Sequence, residues 1–312
     1  MEKITIKGTD LNVSRICFGC CPMGGHGWGA TEEDMMTGAV HTAIDAGVNF
    51  FDTADAYGLG KSESILSASL GSRRSIAVIS TKFGVRVVNG RTFYDNSPLW
   101  IETACANSLR RLKTDMIDLY QIHYRDGKTP LASVVETLDR LREKGWIRYF
   151  GLSNIFVSDL DELREYASCF VSFQNEYSLA CRRFENDIRM LADFLSATPL
   201  TWGSLGQGVL SGKYDKNTIF NVDDRRSREI YVNFHGKKLL KNLEIVEVMN
   251  PIAALHNVSI TAVAVRFILD QLRDSIALVG AKSPLQVQEN VQAMGWEMSK
   301  EEIMRLCEVS DG

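Results

Sequence analysis

The stretch Phe50-Phe51-Asp52-Thr53-Ala54-Asp55-Ala56-Tyr57-Gly58 begins as an apolar run and becomes polar at Asp52. Two later stretches do the same, because Ser80-Thr81-Lys82-Phe83-Gly84 and Asp118-Leu119-Tyr120-Gln121-Ile122-His123 also lie where an apolar, strand-like run ends. In a parallel barrel of alternating strands and helices, the side chains at the C-terminal ends of the strands meet at one face. Four residues are therefore expected to share one site: Asp52, Tyr57, Lys82 and His123.

Strand-like runs alternate with helix-like runs along the chain, which is the pattern of βα units around a parallel sheet. The 312 residues would also fit two smaller domains, but they exceed the roughly 250 residues of an eight-unit barrel only by what loops and end helices can absorb. We predict an α/β fold with one domain over residues 1–312, a (β/α)8 TIM barrel with extra C-terminal helices. The predicted strands are 15–19, 48–52, 76–82, 116–123, 147–153, 171–174, 200–202 and 276–279.

Local signals add detail to this prediction. Gly8-Thr9-Asp10 separates two short apolar runs and predicts an N-terminal β-hairpin that caps the closed bottom of the barrel. Helix starts are indicated by a capping box at Thr31-Glu32-Glu33-Asp34, and by a serine N-cap followed by proline at Ser97-Pro98 and Ser283-Pro284. Residues 206–236 form the one long irregular connection, which is typical of a lid, a binding segment or a disordered loop.

The composition excludes several classes of protein. A net charge of −4 with no basic patch argues against nucleic acid, and no stretch approaches the ~20 apolar residues of a membrane span. Seven scattered cysteines and a start without an apolar signal region indicate a reducing cytoplasm. Cys17-x-x-Cys20 has no matching second pair of metal ligands, so no metal is predicted.

The four clustered residues indicate an acid that acts on a carbonyl oxygen. The pKa of tyrosine is about 10, and a nearby cation lowers it; Lys82 is that cation, and Asp52 orients it. His123 can donate a hydrogen bond to an oxygen on which negative charge develops. Because no serine or cysteine nucleophile accompanies the set, an external reductant is needed, and hydride from a nicotinamide fits. No Gly-x-Gly-x-x-Gly joins a strand to a helix, so the later βα loops are expected to hold the cofactor.

Seven segments, in order, resemble the aldo-keto reductase superfamily: 50–58, 80–84, 118–126, 151–154, 174–179, 202–214 and 280–290. The resemblance covers nearly the whole chain. It implies that Tyr57 is the general acid, that Lys82 and Asp52 tune its pKa, and that His123 orients the carbonyl. It also implies NADPH (NADP+) as the cofactor, because Lys282 and Ser283 match positions beside a 2′-phosphate.

The same resemblance assigns the remaining cofactor contacts. Ser153, Asn154 and Gln174 match carboxamide-binding residues, and Trp202 matches the aromatic residue that stacks on the nicotinamide. Arg228 is a candidate contact in the lid. The loop over the pyrophosphate and the adenosine end match Ser204, Leu205, Gly206, Gly208, Lys213, Gly280, Gln286, Glu289 and Asn290.

Some features depart from the family pattern or leave alternatives open. Gly203-Ser204-Leu205 replaces a common Ser-Pro-Leu, and Cys20-Cys21 places two thiols near the expected mouth. Trp28, Tyr124 and Arg125 are expected to line the substrate pocket, with His26 as a further candidate. The expected function is reduction of a small-molecule aldehyde or ketone to an alcohol.

Two other functions are weighed against this one. Asp55 and Asp118 could form the carboxylate pair of a glycosidase, but that reading leaves Tyr57, Lys82 and residues 282–290 without roles. The β subunits of voltage-gated potassium channels also resemble aldo-keto reductases, so a cofactor-binding regulatory or redox-sensor subunit is the alternative. A homo-oligomer is left open.

Overall fold

The computed structural model describes residues 1–25, 27–29 and 31–310. Eight parallel strands close into a barrel in the order β10, β11, β12, β3, β4, β5, β8, β9, in which β9 pairs with β10. All eight predicted strands are therefore confirmed, with boundaries that differ by at most a few residues. The strands of the described part are β1 Lys3–Thr5, β2 Asn12–Ser14, β3 Ile16–Gly19, β4 Phe50–Asp52, β5 Val78–Phe83, β6 Val85–Val88, β7 Arg91–Tyr94, β8 Ile117–Ile122, β9 Ile147–Ser153, β10 Ser172–Glu176, β11 Thr198–Trp202 and β12 Ile276–Gly280.

Helices cover the outside of the barrel, and their apolar faces form the larger core cluster with the outward-facing side chains of the strands. α10 packs against α7, which places the C-terminal helix beside the barrel wall. The α-helices of the described part are α1 Glu33–Asp45, α2 Lys61–Leu70, α3 Pro98–Leu112, α4 Leu131–Glu143, α5 Leu160–Leu163, α6 Glu185–Leu195, α7 Gly236–His256, α8 Ile260–Gln271, α9 Pro284–Val291 and α10 Lys300–Ser310.

The N-terminal hairpin closes the bottom of the barrel, as predicted. β1 and β2 pair antiparallel with Lys3 opposite Ser14, and Ile6, Leu11 and Val13 are fully or almost fully buried. They form a second core cluster with side chains from the barrel interior, among them Phe50 of β4. This apolar plug leaves the opposite end, where the strands finish, as the open mouth.

A second hairpin, which was not predicted from the sequence, lies at the mouth. β6 and β7 pair antiparallel after β5, and the turn between them has positive φ at Asn89 (50°) and Gly90 (74°). Asn-Gly between two runs of β-forming residues is a strong short-range hairpin signal. The signal was present in the sequence, and the hairpin carries Tyr94 to the mouth, where its ring stacks on Tyr124 at 4.9 Å.

The helix starts were predicted with mixed success. α9 begins at Pro284, and the Ser283 hydroxyl accepts a hydrogen bond from the Gln286 amide. α3 begins at Pro98, yet the Ser97 side chain makes no capping bond. The prediction of a capping box at Thr31 was wrong, because α1 begins at Glu33 and its N-cap, Glu32, makes no side-chain hydrogen bond.

Two glycines bring the first and second βα loops into direct backbone contact. Gly58 has a φ of 63°, and a Cβ there would lie 2.8 Å from the Cα of Gly24. A Cβ on Gly24 would lie 2.7 Å from the Gly58 nitrogen. Because no side chain fits at either position, this contact fixes the loop after β3 against the loop that carries Tyr57.

None of the helices in the described part of the chain is, by itself, long and apolar enough to cross a membrane. Only α7 and α8 taken together pass a test of length and composition, and they are bent by 93° relative to each other. α8 is almost completely buried in the core, which accounts for its apolar sequence.

Candidate active site

A cavity of about 540 Å³ opens at the C-terminal ends of the barrel strands. Its lining combines residues that end β3, β4, β9, β11 and β12 with residues of the loops that follow, so positions far apart in the chain meet there as predicted. The predicted site residues that line it are Trp28, Asp52, Tyr57, His123, Tyr124, Ser153, Asn154, Gln174, Trp202, Ser204, Leu205, Gly208, Lys213, Gly280, Lys282, Gln286, Glu289 and Asn290.

A buried ion pair lies at the bottom of this cavity. Lys82 Nζ is 2.5 Å from Asp52 Oδ1 and donates a second hydrogen bond to the Thr53 carbonyl at 2.9 Å. The other carboxylate oxygen accepts hydrogen bonds from Ser80 Oγ at 2.9 Å, Gln174 Nε2 at 3.0 Å and Gln121 Nε2 at 3.3 Å. Lys82 has no exposed surface and Asp52 has 2%. The two opposite charges are thus paired, and the carboxylate has three further donors, which compensates for the burial of the pair.

Tyr57 lies over this ion pair, with Lys82 Nζ 5.3 Å from the centroid of its ring. Burial raises the pKa of Tyr57 well above its ordinary value, and the nearby Cys21 thiol and Asp52 carboxylate raise it further. The opposite direction was predicted from the sequence, with Lys82 lowering this pKa. Lys82 is paired with Asp52 at 2.5 Å, and burial of the phenol determines the direction, so Tyr57 keeps its proton at neutral pH.

His123 is held by aromatic rings. Its imidazole lies edge-on to Tyr57 at 5.8 Å and stacks on Tyr124 at 5.1 Å. Burial lowers the pKa of His123 well below its ordinary value, and Lys82 lowers it further, so the ring is neutral at pH 7. Within the described residues its buried Nδ1 atom has no hydrogen-bond partner. A neutral imidazole beside Tyr57 can donate one hydrogen bond into the cavity.

A row of amide and hydroxyl groups forms one side of the cavity. Asn154 has a φ of 55°, and its Nδ2 donates to the His123 carbonyl at 3.0 Å while its Oδ1 accepts from Trp202 Nε1 at 3.2 Å. Ser153 Oγ donates to the Gln174 carbonyl at 3.0 Å. The left-handed backbone of Asn154 turns its amide across the strand ends, which fixes the Trp202 indole at the cavity wall.

Positive charge collects at the far end of the cavity. Lys282 Nζ donates to the Trp28 carbonyl at 2.7 Å, and Arg226 pairs with Asp224 at 2.5 Å and hydrogen-bonds the Tyr214 hydroxyl. Burial lowers the pKa of Lys282, and Arg226 and Lys213 lower it further by repulsion. Three cations therefore lie close enough to repel one another, which is the environment expected of an anion-binding site.

Two loops meet above the cavity. The Arg225 amide donates to the Gly27 carbonyl at 2.7 Å, which joins residues 223–226 of the long connection to the loop after β3. The Trp28 ring lies edge-on to Tyr231 at 5.6 Å. These contacts hold part of the predicted lid against the barrel, where three short 3₁₀ helices give it regular structure at Gly206–Ser211, Arg225–Ser227 and Val232–Phe234.

Five predicted site residues do not line the cavity. Lys82 lies beneath it, Gly206 is buried behind the loop, and the Ser283 side chain caps α9. Arg228 is exposed, and the neighbouring Arg226 occupies the cavity wall instead. Arg125 pairs with Glu162 and donates to the Thr129 carbonyl at 3.0 Å. His26 lies outside the described residues.

The cavity is also lined by residues that were not predicted as site residues. Most lie in the two loops that meet above it, where a single sequence gives no periodic signal. Cys21 was predicted to lie near the mouth, but it was not assigned to the site. These residues are Gly19, Cys21, Pro22, Gly203, Gln207, Ser211, Tyr214, Arg225, Arg226, Tyr231, Thr261, Leu278 and Val279.

The geometry bears on two other chemistries. Asp118 pairs with Arg148 at 2.9 Å and accepts from the Ile79 amide at 2.9 Å, and it does not line the cavity, so it forms no carboxylate pair with Asp55. Over residues 1–25, 27–29 and 31–310, no group of three or more His, Cys, Asp or Glu side chains is arranged to hold a metal ion.

Comparisons with known proteins agree on one family. A model described as the aldo/keto reductase family matches residues 15–311. An aldo-keto reductase of Bacillus subtilis is 33% identical over 97% of this chain and 91% of its own length. An NADH-specific methylglyoxal reductase of Escherichia coli is 30% identical over 100% and 99%. The solved structure of a glycerol dehydrogenase from Gluconobacter oxydans superposes with a TM-score of 0.89 at 35% identity, covering 98% of this chain and 94% of that one.

Proposed function

Because the chain belongs to the aldo/keto reductase family, we propose that it catalyses the NADPH-dependent reduction of an aldehyde or ketone to an alcohol, with Tyr57 as the acid. The observation that carries this proposal is the arrangement at the bottom of the cavity. The Lys82 ammonium lies 5.3 Å from the centre of the Tyr57 ring, and the neutral His123 ring lies 5.8 Å from it.

Each residue of this group has a separate task. His123 donates a hydrogen bond to the carbonyl oxygen, which orients the substrate and stabilises the negative charge that develops there. Tyr57 gives its proton to that same oxygen, and the Lys82 ammonium stabilises the tyrosinate that is left. Asp52 keeps Lys82 charged and in position through a 2.5 Å contact. General acid catalysis of this kind contributes about 10²- to 10⁴-fold to the rate.

The chain's side chains fit a nicotinamide dinucleotide. When bound, the cofactor supplies the hydride that is added to the carbonyl carbon. Trp202 offers an aromatic surface at the cavity wall, and Ser153, Asn154 and Gln174 offer amide and hydroxyl groups beside it. Gln207 and Gly208 line the cavity with positive φ of 61° and 106°. Because Gly208 has no side chain, the backbone there can approach a pyrophosphate closely.

The cations at the far end favour NADPH over NADH. Lys213, Arg226 and Lys282 line one end of the cavity, and a phosphate monoester carries nearly two negative charges at neutral pH. Glu289 also lines this cavity. The NADH-specific relative shows that family membership does not decide this preference, which therefore rests on these side chains.

Tyr57→Phe tests the proposal directly. The change removes only the acidic hydroxyl, so kcat with an aldehyde panel should fall by at least about 10²-fold, while NADPH still quenches tryptophan fluorescence with an unchanged Kd. Tyr149→Phe is the matched control, because that hydroxyl hydrogen-bonds Asp10 near the closed end. Turnover by Tyr57→Phe close to the unmodified rate would rule out Tyr57 as the acid.

The regulatory or sensor alternative makes a different prediction in the same experiment. It predicts NADPH binding together with negligible turnover of every carbonyl compound by the unmodified protein, and a partner that co-purifies at fixed stoichiometry. As for location, we propose the reducing cytoplasm, because all seven cysteines are free of disulfides.

A further inference from the structure

Four cations line the cavity: Lys213, Arg225, Arg226 and Lys282. Lys213, Arg226 and Lys282 belong to the cluster described above, in which Arg226 is paired with Asp224 at 2.5 Å. Arg225 does not belong to it. Its guanidinium makes no ion pair and no hydrogen bond with any residue in the described part of the chain, although it is only partly exposed.

Arg225 lies instead beside the first βα loop. Its guanidinium carbon is 5.8 Å from the centre of the Trp28 ring, and its backbone amide is fixed by the 2.7 Å hydrogen bond to the Gly27 carbonyl. Trp28 in turn contacts Tyr231 edge-on at 5.6 Å. The side chain is therefore positioned by its backbone and by an aromatic wall, while its five N–H donors remain available.

Arg225 is joined to the catalytic end of the cavity through the loop after β3. Its amide donates to Gly27 of that loop, and Gly24 of the same loop is in close contact with the backbone of Tyr57 and Gly58. Burial raises the pKa of the Cys21 thiol, and Lys82 and Arg225 both oppose that rise. Cys21 is also close enough to Tyr57 to raise the pKa of its phenol. Cys21 lines the cavity two residues after β3 and is close to both Arg225 and Tyr57. Arg225 therefore lies on the side of the cavity where the carbonyl group is expected.

We propose that Arg225 binds an acidic group of the substrate, so that the preferred substrates are aldehydes or ketones that carry a carboxylate or a phosphate. A guanidinium forms two parallel hydrogen bonds with either group. The Trp28 ring lies beside the guanidinium, and a charged contact next to apolar surface is stronger than one in bulk water. This assignment rests on the proposed carbonyl reduction and adds the class of substrate, together with a second contact that orients the carbonyl toward Tyr57.

Matched pairs of substrates test the assignment. With saturating NADPH, kcat/KM is measured for succinic semialdehyde against butanal, and for glyceraldehyde 3-phosphate against glyceraldehyde. Arg225→Gln should lower kcat/KM for the acidic member of at least one pair by about 10- to 100-fold, mainly through KM, and change that of the neutral members by less than about threefold. The pair that responds identifies whether carboxylate or phosphate is the natural group.

Two variants control for charge alone. Lys216→Gln removes one positive charge from the same long connection, but Lys216 is exposed and does not line the cavity, so both substrate classes should be unaffected. Arg225→Lys keeps the charge without the two parallel donors and should retain part of the preference. Equal losses for acidic and neutral substrates in Arg225→Gln would overturn the assignment, as would a large increase in the Kd for NADPH, which would make Arg225 a cofactor residue.

A binding measurement separates this proposal from the proposed function. Protein saturated with NADP+ is titrated with succinate and with inorganic phosphate, and the tryptophan fluorescence is followed. The unmodified protein and Lys216→Gln should bind at least one of these anions, and Arg225→Gln should bind it at least about tenfold more weakly. This result would support the anion site even if no carbonyl compound were turned over, whereas identical binding by all three proteins, or by none, would overturn it.

Discussion

The buried ion pair between Asp52 and Lys82 should behave as a single energetic unit. We consider Lys82→Met, Asp52→Asn and the double variant, which remove one charge, the other and both. Lys82→Met leaves the Asp52 carboxylate with three neutral donors, Ser80, Gln121 and Gln174, at 2.9 to 3.3 Å. Asp52→Asn leaves the Lys82 ammonium with the Thr53 carbonyl at 2.9 Å as its other acceptor.

The expected size of the effect follows from burial. Lys82 has no exposed surface and Asp52 has 2%, so each single variant leaves an uncompensated charge inside the protein and should cost about 3–5 kcal/mol of the free energy of unfolding. The double variant buries no charge. Its loss should therefore be smaller than the sum of the two single losses by at least about 2 kcal/mol.

The assay is urea unfolding at pH 7, followed by far-ultraviolet circular dichroism and by tryptophan fluorescence, because coincident transitions establish the two-state condition. The matched control is the same cycle on Arg73 and Asp45, which are 2.6 Å apart with side chains 39% and 65% exposed. That pair should show a coupling below about 1 kcal/mol. Additive losses within about 0.5 kcal/mol at Asp52 and Lys82 would refute the reasoning, because they would mean that the two charges do not compensate each other in the folded state.

Three further predictions concern pH, packing and cofactor choice. Burial, followed by repulsion from Glu63, raises the pKa of Asp55 to about 8 in the folded protein. The unfolded chain therefore releases this proton at a lower pH than the folded protein does. As a result, this group's contribution to the free energy of unfolding is lost as the pH rises from about 4 to about 8. Asp55→Asn should therefore gain stability relative to the unmodified protein over that window, and parallel stability curves would contradict this. Gly58→Ala should lower the free energy of unfolding by more than about 3 kcal/mol, because its Cβ would clash with Gly24. The control is Gly90→Ala, which has a φ of 74° and no atom within 4 Å of the added Cβ, and it should cost only about 1–2 kcal/mol. Equal losses in the two variants would exclude the clash. Lys282→Met should raise the Kd for NADPH at least about tenfold and that for NADH much less, and equal changes in fluorescence titrations would show that Lys282 does not contact a 2′-phosphate.

The barrel and the bottom of the cavity could be predicted because they depend on regular patterns. Each barrel strand is an apolar run that ends in polar residues, and parallel strands bring those ends together whatever the sequence between them. Asp52, Tyr57 and His123 were therefore grouped correctly on the cavity wall, with Lys82 beneath them. The N-terminal hairpin was predicted from a glycine-containing turn between two short apolar runs.

The other features of the site depend on contacts between distant residues, which cannot be predicted from one sequence. Arg125 and Arg228 were chosen as site residues from neighbourhood or resemblance alone, but Arg125 pairs with Glu162 and Arg228 is exposed. Arg225 and Arg226 line the cavity because their 3₁₀ turn is fixed by the Asp224 side chain and the Gly27 carbonyl. The predicted direction of the Tyr57 pKa shift was wrong. The sequence identifies a neighbouring cation, but it gives neither the depth of burial of the phenol nor the distance of the compensating carboxylate.

The seam of the barrel has a consequence for how the protein is made. β12 pairs with β3, and Arg15 Nε donates to the carbonyl of Ser275 at 3.4 Å, 260 residues along the chain. Contacts between such distant residues are late and slow to form. During synthesis the barrel cannot close until residues 276–280, which pair with β3, have left the ribosome. The stage of translation at which cofactor binding first appears would therefore show when the barrel closes.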